Sequence, residues 1–126
     1  MVLPRTSCHT RRAPQKDPIQ EDEEKRRHEA QVKLQREEPN IVPHVKRVES
    51  WDEWKMIDIL RRLCSAYIAS DRTSVKELEP MARAIGHVLN IRGGLAEMRR
   101  VFGELNGIPG SRTLEMHWNR IGDWLG

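Results

Sequence analysis

Four runs of apolar residues at helical spacing fill the chain between Ser50 and Gly126, and they constrain its fold more than any other feature. Apolar residues three and four positions apart share one face of a helix, and that face must be buried against a neighbour. Connections of about three to six residues favour antiparallel neighbours, and no segment shows the alternation typical of a strand. The sequence therefore predicts an all-α fold, a small bundle of about four short antiparallel helices. The stripes are Met56, Leu60, Leu63 and Tyr67; Val75, Leu78, Ala82, Ile85 and Leu89; Leu95, Met98, Phe102 and Leu105; and Leu114, Trp118, Ile121 and Leu125.

Start and stop signals mark the ends of these predicted helices. Ser50 and Ser74 each begin a capping box, with a glutamate three residues later, and Ser111 is the predicted cap of the fourth helix. Pro80 leaves two alternatives, because the second helix can start at Ser74 and kink at the proline, or start at the proline itself. Residues 90–94 contain two glycines and are predicted to separate the second helix from the third.

The charge of the chain is uneven. Residues 1–48 hold 11 basic and 8 acidic residues, whereas the remainder holds 11 of each, so the whole net charge of +3 lies in the N-terminal segment. The start of this segment has no apolar periodicity, which is typical of disorder. Residues 19–38 are rich in good helix formers and can form a solvated helix with no core-facing stripe. We therefore predict a charged, largely disordered tail over residues 1–43 and an α-helical domain over residues 44–126.

The residues that could carry catalysis do not form a recognised constellation. Cys64 could pair with His87 or His117 as an activated thiolate, but it falls on the apolar face of its helix, where buried structural cysteines are the ordinary case. The histidines are scattered, and neither cysteine stands at a zinc-ligand spacing from one of them. We therefore predict no catalytic residue, no metal site, no cofactor and no enzymatic activity.

The cysteine content and the hydropathy of the chain indicate its compartment. Two cysteines, Cys8 and Cys64, are too few for a disulfide scaffold, which favours a reducing environment. No apolar run approaches the roughly 18 residues of a membrane span, and no hydrophobic signal-peptide core is present. These observations predict a cytoplasmic protein that does not engage a membrane.

The loop around Arg92, Gly93 and Gly94 has the clearest potential for binding a small anion. Its two glycines lead directly into a predicted helix, where backbone N–H groups can hold a negative charge, and Arg99 and Arg100 lie close by in sequence. The alternative is a plain helix cap followed by a tight turn. These five residues form the candidate contact for a phosphate or carboxylate.

The four tryptophans all lie after Ser50, which is a high content for so short a domain. Trp118 stands on the apolar stripe of the fourth helix and is predicted to be buried against the second and third helices. Trp51, Trp54 and Trp124 lie near predicted helix ends, where they either cap the bundle or remain exposed. Because exposed aromatic residues are enriched in protein contacts, these three form the candidate partner surface.

Three short stretches of the C-terminal half carry a resemblance to known proteins. They are Leu89-Asn90-Ile91-Arg92-Gly93-Gly94, Leu114-Glu115-Met116-His117-Trp118 and Ile121-Gly122-Asp123-Trp124. With them, residues 50–126 resemble small bacterial helical proteins of unknown function, and the N-terminal tail lies outside the resemblance. The resemblance implies a bacterial, cytoplasmic helical domain, and it implies no activity, ligand or catalytic residue.

Two functional hypotheses follow from these observations. The first is a non-catalytic helical module, an adaptor or regulatory protein, that binds a protein partner or associates with itself. The alternative is a nucleic-acid-associated accessory protein, whose basic tail makes weak contacts with the phosphate backbone. The residues that would carry these contacts are Arg5, Arg11, Arg12, Lys16 and the run Lys25-Arg26-Arg27.

Overall fold

Five helices make up the part of the chain described by the computed structural model, residues 18–124, and this part contains no strand. The all-α prediction is therefore confirmed. The first 17 residues of the predicted tail and Leu125 of the fourth predicted stripe lie outside the described residues. The helices are α1 (Pro18–Glu37), α2 (Val42–Val48), α3 (Glu53–Ile68), α4 (Arg72–Gly103) and α5 (Ser111–Met116).

Aspartates, not the predicted serines, cap α3 and α4. The side chain of Asp52 accepts a hydrogen bond from the Lys55 amide at 2.8 Å, and Asp71 accepts one from the Ser74 amide at 3.1 Å. Ser50 instead donates its hydroxyl to the carbonyl of Arg47, in the turn that follows α2. A carboxylate at the capping position also interacts favourably with the positive end of the helix dipole.

A single break divides α4 into the second and third predicted helices. Gly94 has φ 70° and ψ −155°, a conformation that glycine adopts without the steric cost of a side chain. The expected stop at residues 90–94 is thus a sharp kink inside one long helix. Pro80 lies within the first segment, which begins at Arg72, so the helix does not start at the proline.

The predicted fourth helix is shorter than expected. The helix α5 ends at Met116, and Gly110 in the left-handed conformation precedes it, so that Ser111 is its first residue and not its cap. Beyond α5 the chain makes tight turns, in which Trp118 donates its amide to Glu115 and Ile121 donates to Trp118. A repeat of about three residues per turn keeps Trp118, Ile121 and Trp124 on the core side.

Trp118 is fully buried, as predicted. Its indole Nε1 donates a hydrogen bond to the Ala82 carbonyl at 3.0 Å, and its ring meets that of Phe102 edge-on at 6.0 Å between centroids. Gly86 makes this approach possible, because a Cβ at that position would lie only 2.7 Å from the indole Cδ1. The ring therefore packs against both segments of α4. Around it the core gathers Met56, Leu60 and Leu63 of α3, Ile85, Leu89, Met98 and Val101 of α4, and Leu114 of α5.

The helix α1 is present where the sequence allowed it, but it is not solvated on all sides. Leu34 is only 4% exposed and belongs to the hydrophobic core, and Ala30 is half-buried one turn earlier. Burial of one leucine side chain contributes about 1.5–3 kcal/mol, which is enough to dock a helix that also makes polar contacts. Residues 19–38 are therefore attached to the bundle, chiefly to α4.

Candidate interaction surface

Trp54 is the most exposed large apolar side chain in the described part of the chain, with 74% of its surface open to solvent. It lies in the first turn of α3, two residues before the buried Met56. Positions two apart on a helix point in nearly opposite directions, at about 200°, so burial of Met56 turns Trp54 outward. Trp51 is half-buried, and the Nζ atom of Lys55 lies 4.6 Å from the centroid of its ring, a cation–π contact.

Trp124 is not part of this surface, contrary to the prediction. It is 7% exposed and packs edge-on against Trp118 and Phe102, with ring centroids 5.0 and 5.5 Å away. The turns after α5 carry it into the core, whereas a continuous helix would have left it at the end of the bundle. Trp124 therefore belongs to the aromatic cluster of the core and not to the candidate partner surface.

Two of the predicted anion-contact arginines bind residues that lie close to Trp51 and Trp54 in sequence. Arg92 donates to the carbonyl of Glu49 at 2.9 Å, just before Trp51 in sequence. Arg100 forms ion pairs with Glu53 and Glu97, and its hydrogen bond holds the pKa of Glu53 below the ordinary value. The structure thus brings together two groups of residues that the sequence left separate. We call Trp51, Trp54, Lys55, Arg92 and Arg100 the tryptophan face; Arg99 is exposed next to Arg100.

The two glycines do not form an open anion site. Gly94 is buried, and the guanidinium of Arg26 lies 3.6 Å from the position that a Cβ on Gly94 would take. The same guanidinium donates to the carbonyls of Asn90 at 2.5 Å and Ile91 at 3.2 Å. A cation from α1 therefore occupies the negative end of the first segment of α4, and an anion would have to displace it to reach the glycines.

A charged cluster that the sequence analysis missed joins α1 to α4. Glu38 receives two hydrogen bonds from Arg83, at 2.7 and 2.8 Å, and its Oε2 lies 2.8 Å from Nε2 of His87. Arg83 also donates to the carbonyls of His117 and Asn119, so it links three parts of the chain. The hydrogen bond from Arg83 lowers the pKa of Glu38, whereas burial lowers the pKa of His87 against the opposing effect of Glu38.

A second missed cluster lies where α3, α4 and the end of α5 meet. The hydroxyl of Tyr67 donates to Glu79 at 3.1 Å, Nε2 of His117 lies 3.2 Å from the same carboxylate, and the two rings stack 6.0 Å apart. Burial is the largest cause that raises the pKa of Tyr67, and the hydrogen bond to Glu79 is the second. These polar groups bond to one another and so connect α3, α4 and the residue that follows α5.

The thiol of Cys64 does not form a thiolate pair with either histidine. It is fully buried in α3, and its burial raises the pKa of the thiol, which opposes formation of the thiolate. Elsewhere within residues 18–124, no three histidine, cysteine, aspartate or glutamate side chains are grouped so that they could hold a metal ion. Among the described helices, none is long and apolar enough to span a membrane.

Acidification should destabilise the domain through His87. Because burial depresses its folded pKa below the ordinary value of 6.5, the unfolded chain binds this proton first as the pH falls. The contribution of neutral His87 to the free energy of unfolding is therefore complete above pH 6.5. It is lost as the pH falls through the lowered pKa of the folded state. Uptake of one proton on unfolding makes the free energy of unfolding change with pH by at most about 1.4 kcal/mol per pH unit. Urea unfolding at several values between pH 7.5 and 5 would measure it.

The variant His87→Gln should flatten this slope, because it removes one of the titrating groups. Glu38, Arg83 and Lys33 are the charged groups that act on His87, and all three remain in the variant. The pKa of His117 is also lowered by burial, so His117→Gln serves as the matched comparison and the double variant should flatten the slope further. A slope that is the same in the wild type and in His87→Gln would contradict the assignment.

Comparisons with known proteins assign no family and no function to this chain. No protein-family model matches the sequence, and no curated protein or solved structure matches it either. The resemblance to bacterial helical proteins therefore stays a prediction.

Proposed function

We propose that this chain is a non-catalytic helical interaction module that binds a protein partner through the tryptophan face. The observation that carries the proposal is the exposure of Trp54 at 74%, in a chain whose Trp118 and Trp124 are buried. Tryptophan and arginine are the residues most enriched among those that dominate binding energy in protein interfaces. The face combines both residue types.

The position of Trp54 supports the proposal because the side chain stands on a rigid base. It belongs to the first turn of the 16-residue helix α3, whose opposite side is anchored by the buried Met56 and Leu60. A backbone that is already held in place loses less conformational freedom when a partner covers the side chains that it carries. The helix therefore presents the indole from a fixed backbone position.

The arginines supply the polar surroundings that protein interfaces commonly have around an apolar centre. Arg92 is exposed and donates to a backbone carbonyl, an acceptor with no net charge. Arg100 is shared between two carboxylates and is exposed. We expect a partner whose surface pairs an apolar pocket for Trp54 with a carboxylate for Arg92.

The nucleic-acid alternative has fewer residues available than the sequence suggested. Arg26 and Arg27 donate to backbone carbonyls of α4, and Arg26 also pairs with Glu23. Lys25 is exposed on α1, and the other candidates, Arg5, Arg11, Arg12 and Lys16, lie outside the described residues. The alternative stays a prediction, and its salt dependence would distinguish it, because phosphate contacts weaken steeply as salt increases.

Substitution of Trp54 by alanine should weaken binding of the partner by about 2 kcal/mol, or roughly 30-fold. A photo-cross-linking amino acid at position 54 in the full chain would first trap the partner in the native cell, with and without nuclease. Titration of the purified partner against wild type and Trp54→Ala would then give the loss of affinity. Sedimentation of the purified chain alone would reveal a partner that is a second copy.

Met116→Ala is the matched control, because Met116 is also a large exposed apolar residue, at 66%. Both substitutions should leave the free energy of unfolding nearly unchanged, so a difference in binding reports on the surface. Equal affinity of the two variants would contradict the proposal. Capture that disappears on nuclease treatment would support the nucleic-acid alternative instead.

A further inference from the structure

The contact face of α1 is a stripe of residues spaced one turn apart, Arg26, Ala30 and Leu34, and Glu38 continues it one residue beyond the end of the helix. Leu34 is the only buried residue of this stripe, and the others are half-buried. The remaining described residues of α1 are exposed, apart from the half-buried Glu23, which pairs with Arg26. The stripe thus places one buried leucine between two charged residues, and Arg27 beside it donates to the Arg92 carbonyl of α4.

The surface of α4 beneath this stripe complements it from end to end. The carbonyls of Asn90 and Ile91 accept the guanidinium of Arg26, while Arg83 and His87 receive the carboxylate of Glu38. The distance from position 26 to position 38 along a helix is about 18 Å. Over this length the surface offers hydrogen-bond acceptors, then an apolar middle, then hydrogen-bond donors. This order fits a helix that carries a cation, an apolar residue and a carboxylate in that sequence and runs in the direction of α1.

The space between α1 and this surface is only partly filled. A cleft of about 360 Å³ runs along the flank of α1, with Leu95 of α4 and Ile121 of the following turn among its lining residues. Protein interiors are normally close-packed, so an open space of this size beside a docked helix marks a contact that is less complete than those of the core. The short turn of residues 38–41 connects α1 to α2 and so to the rest of the bundle.

We propose that α1 is a displaceable strap on a helix-binding groove of α4, and that a helix with the same Arg-Ala-Leu-Glu stripe can replace it in trans. The groove uses different side chains from the tryptophan face, so the proposal is independent of the function proposed above. The covalent link gives α1 a high effective concentration, and the strap therefore holds the groove closed until it is weakened or outcompeted.

The test uses the full chain and a fluorescently labelled peptide of residues 18–42, followed by fluorescence anisotropy. Leu34→Ala in the full chain weakens the strap without changing the groove, so it should bind the peptide at least tenfold more tightly than wild type. Arg26→Gln in the full chain offers a second weakened strap if the first variant fails to fold. The matched control is Val32→Ala, which alters the exposed side of α1 and should bind the peptide as wild type does.

A peptide with Arg26→Glu should bind at least tenfold more weakly to the weakened chain, because its carboxylate would face the carbonyls of α4. Tighter binding by the weakened chain, together with this loss, is the expected result. Three outcomes would overturn the proposal: no binding to either weakened chain, equal binding to weakened and wild-type chains, or binding that is indifferent to the charge at position 26 of the peptide.

Discussion

Replacement of Trp118 by alanine should lower the free energy of unfolding by about 3–5 kcal/mol, the largest effect we expect from one substitution. The indole is fully buried and donates a hydrogen bond to the Ala82 carbonyl. It rests directly on Gly86, which has no side chain that could move into the space left behind. Domains of this size are stable by about 5–15 kcal/mol, so the loss is a large share of the total.

Urea unfolding followed by far-UV circular dichroism would measure this effect. Trp54→Ala is the matched control, since it makes the same chemical change at a side chain that is 74% exposed. We expect it to cost less than about 0.5 kcal/mol. If Trp118→Ala unfolds cooperatively at the same urea concentration as Trp54→Ala, Trp118 does not hold the core together in the way the structure indicates.

Replacement of Gly110 by alanine should cost about 2–4 kcal/mol. Gly110 has φ 93°, and a Cβ at this position would lie 2.8 Å from the carbonyl oxygen of Cys64 and 3.2 Å from its Cα atom. Both neighbours are backbone atoms of α3, which cannot rotate away as a side chain could. The added methyl group would therefore push α5 away from α3.

Gly107→Ala separates the two causes of this cost. Gly107 has a similar φ of 86°, but nothing lies within 4 Å of the position of its Cβ. We expect it to cost only the left-handed penalty of about 1–2 kcal/mol. The difference between the two variants in urea unfolding measures the contact with Cys64, and equal losses would mean that this contact is unimportant.

The sequence predicted the core well where apolar spacing alone determines burial. Met56, Leu60 and Leu63 are all buried as their stripe indicated, and so is Trp118. A break within residues 90–94 was also foreseeable from the two glycines, and the structure places it at Gly94, not at Gly93. These features depend on local geometry, which a short stretch of sequence contains.

The sequence did not predict the attachment of α1, because that attachment depends on one apolar side chain. A lone Leu34 gives no periodic pattern, and the partners of Arg26 are backbone carbonyls that carry no sequence signal. Glu38 meets Arg83 and His87 across 45 and 49 positions of the chain. Such pairs follow from the tertiary arrangement and cannot be read from spacing.

The candidate surface was predicted in part. Trp51 and Trp54 were identified from their place near a helix end, and Trp54 is exposed, but the same reasoning misplaced Trp124. The reason is that the chain leaves the helical path after Met116 and follows turns with three residues each, which direct Trp124 inward. The contacts of Arg92 with Glu49 and of Arg100 with Glu53, beside the tryptophans in sequence, follow from the fold and not from spacing.

The unequal burial of the tryptophans gives the protein an optical reporter of its own. Trp118 and Trp124 lie with ring centroids 5.0 Å apart inside the core, whereas Trp54 is open to water. An indole in an apolar interior emits at shorter wavelengths than one in water, so the blue and red parts of the emission spectrum have separate origins. The blue part reports on the integrity of the core, and the red part reports on whatever covers Trp54. Folding and recognition can therefore be followed together in unlabelled protein.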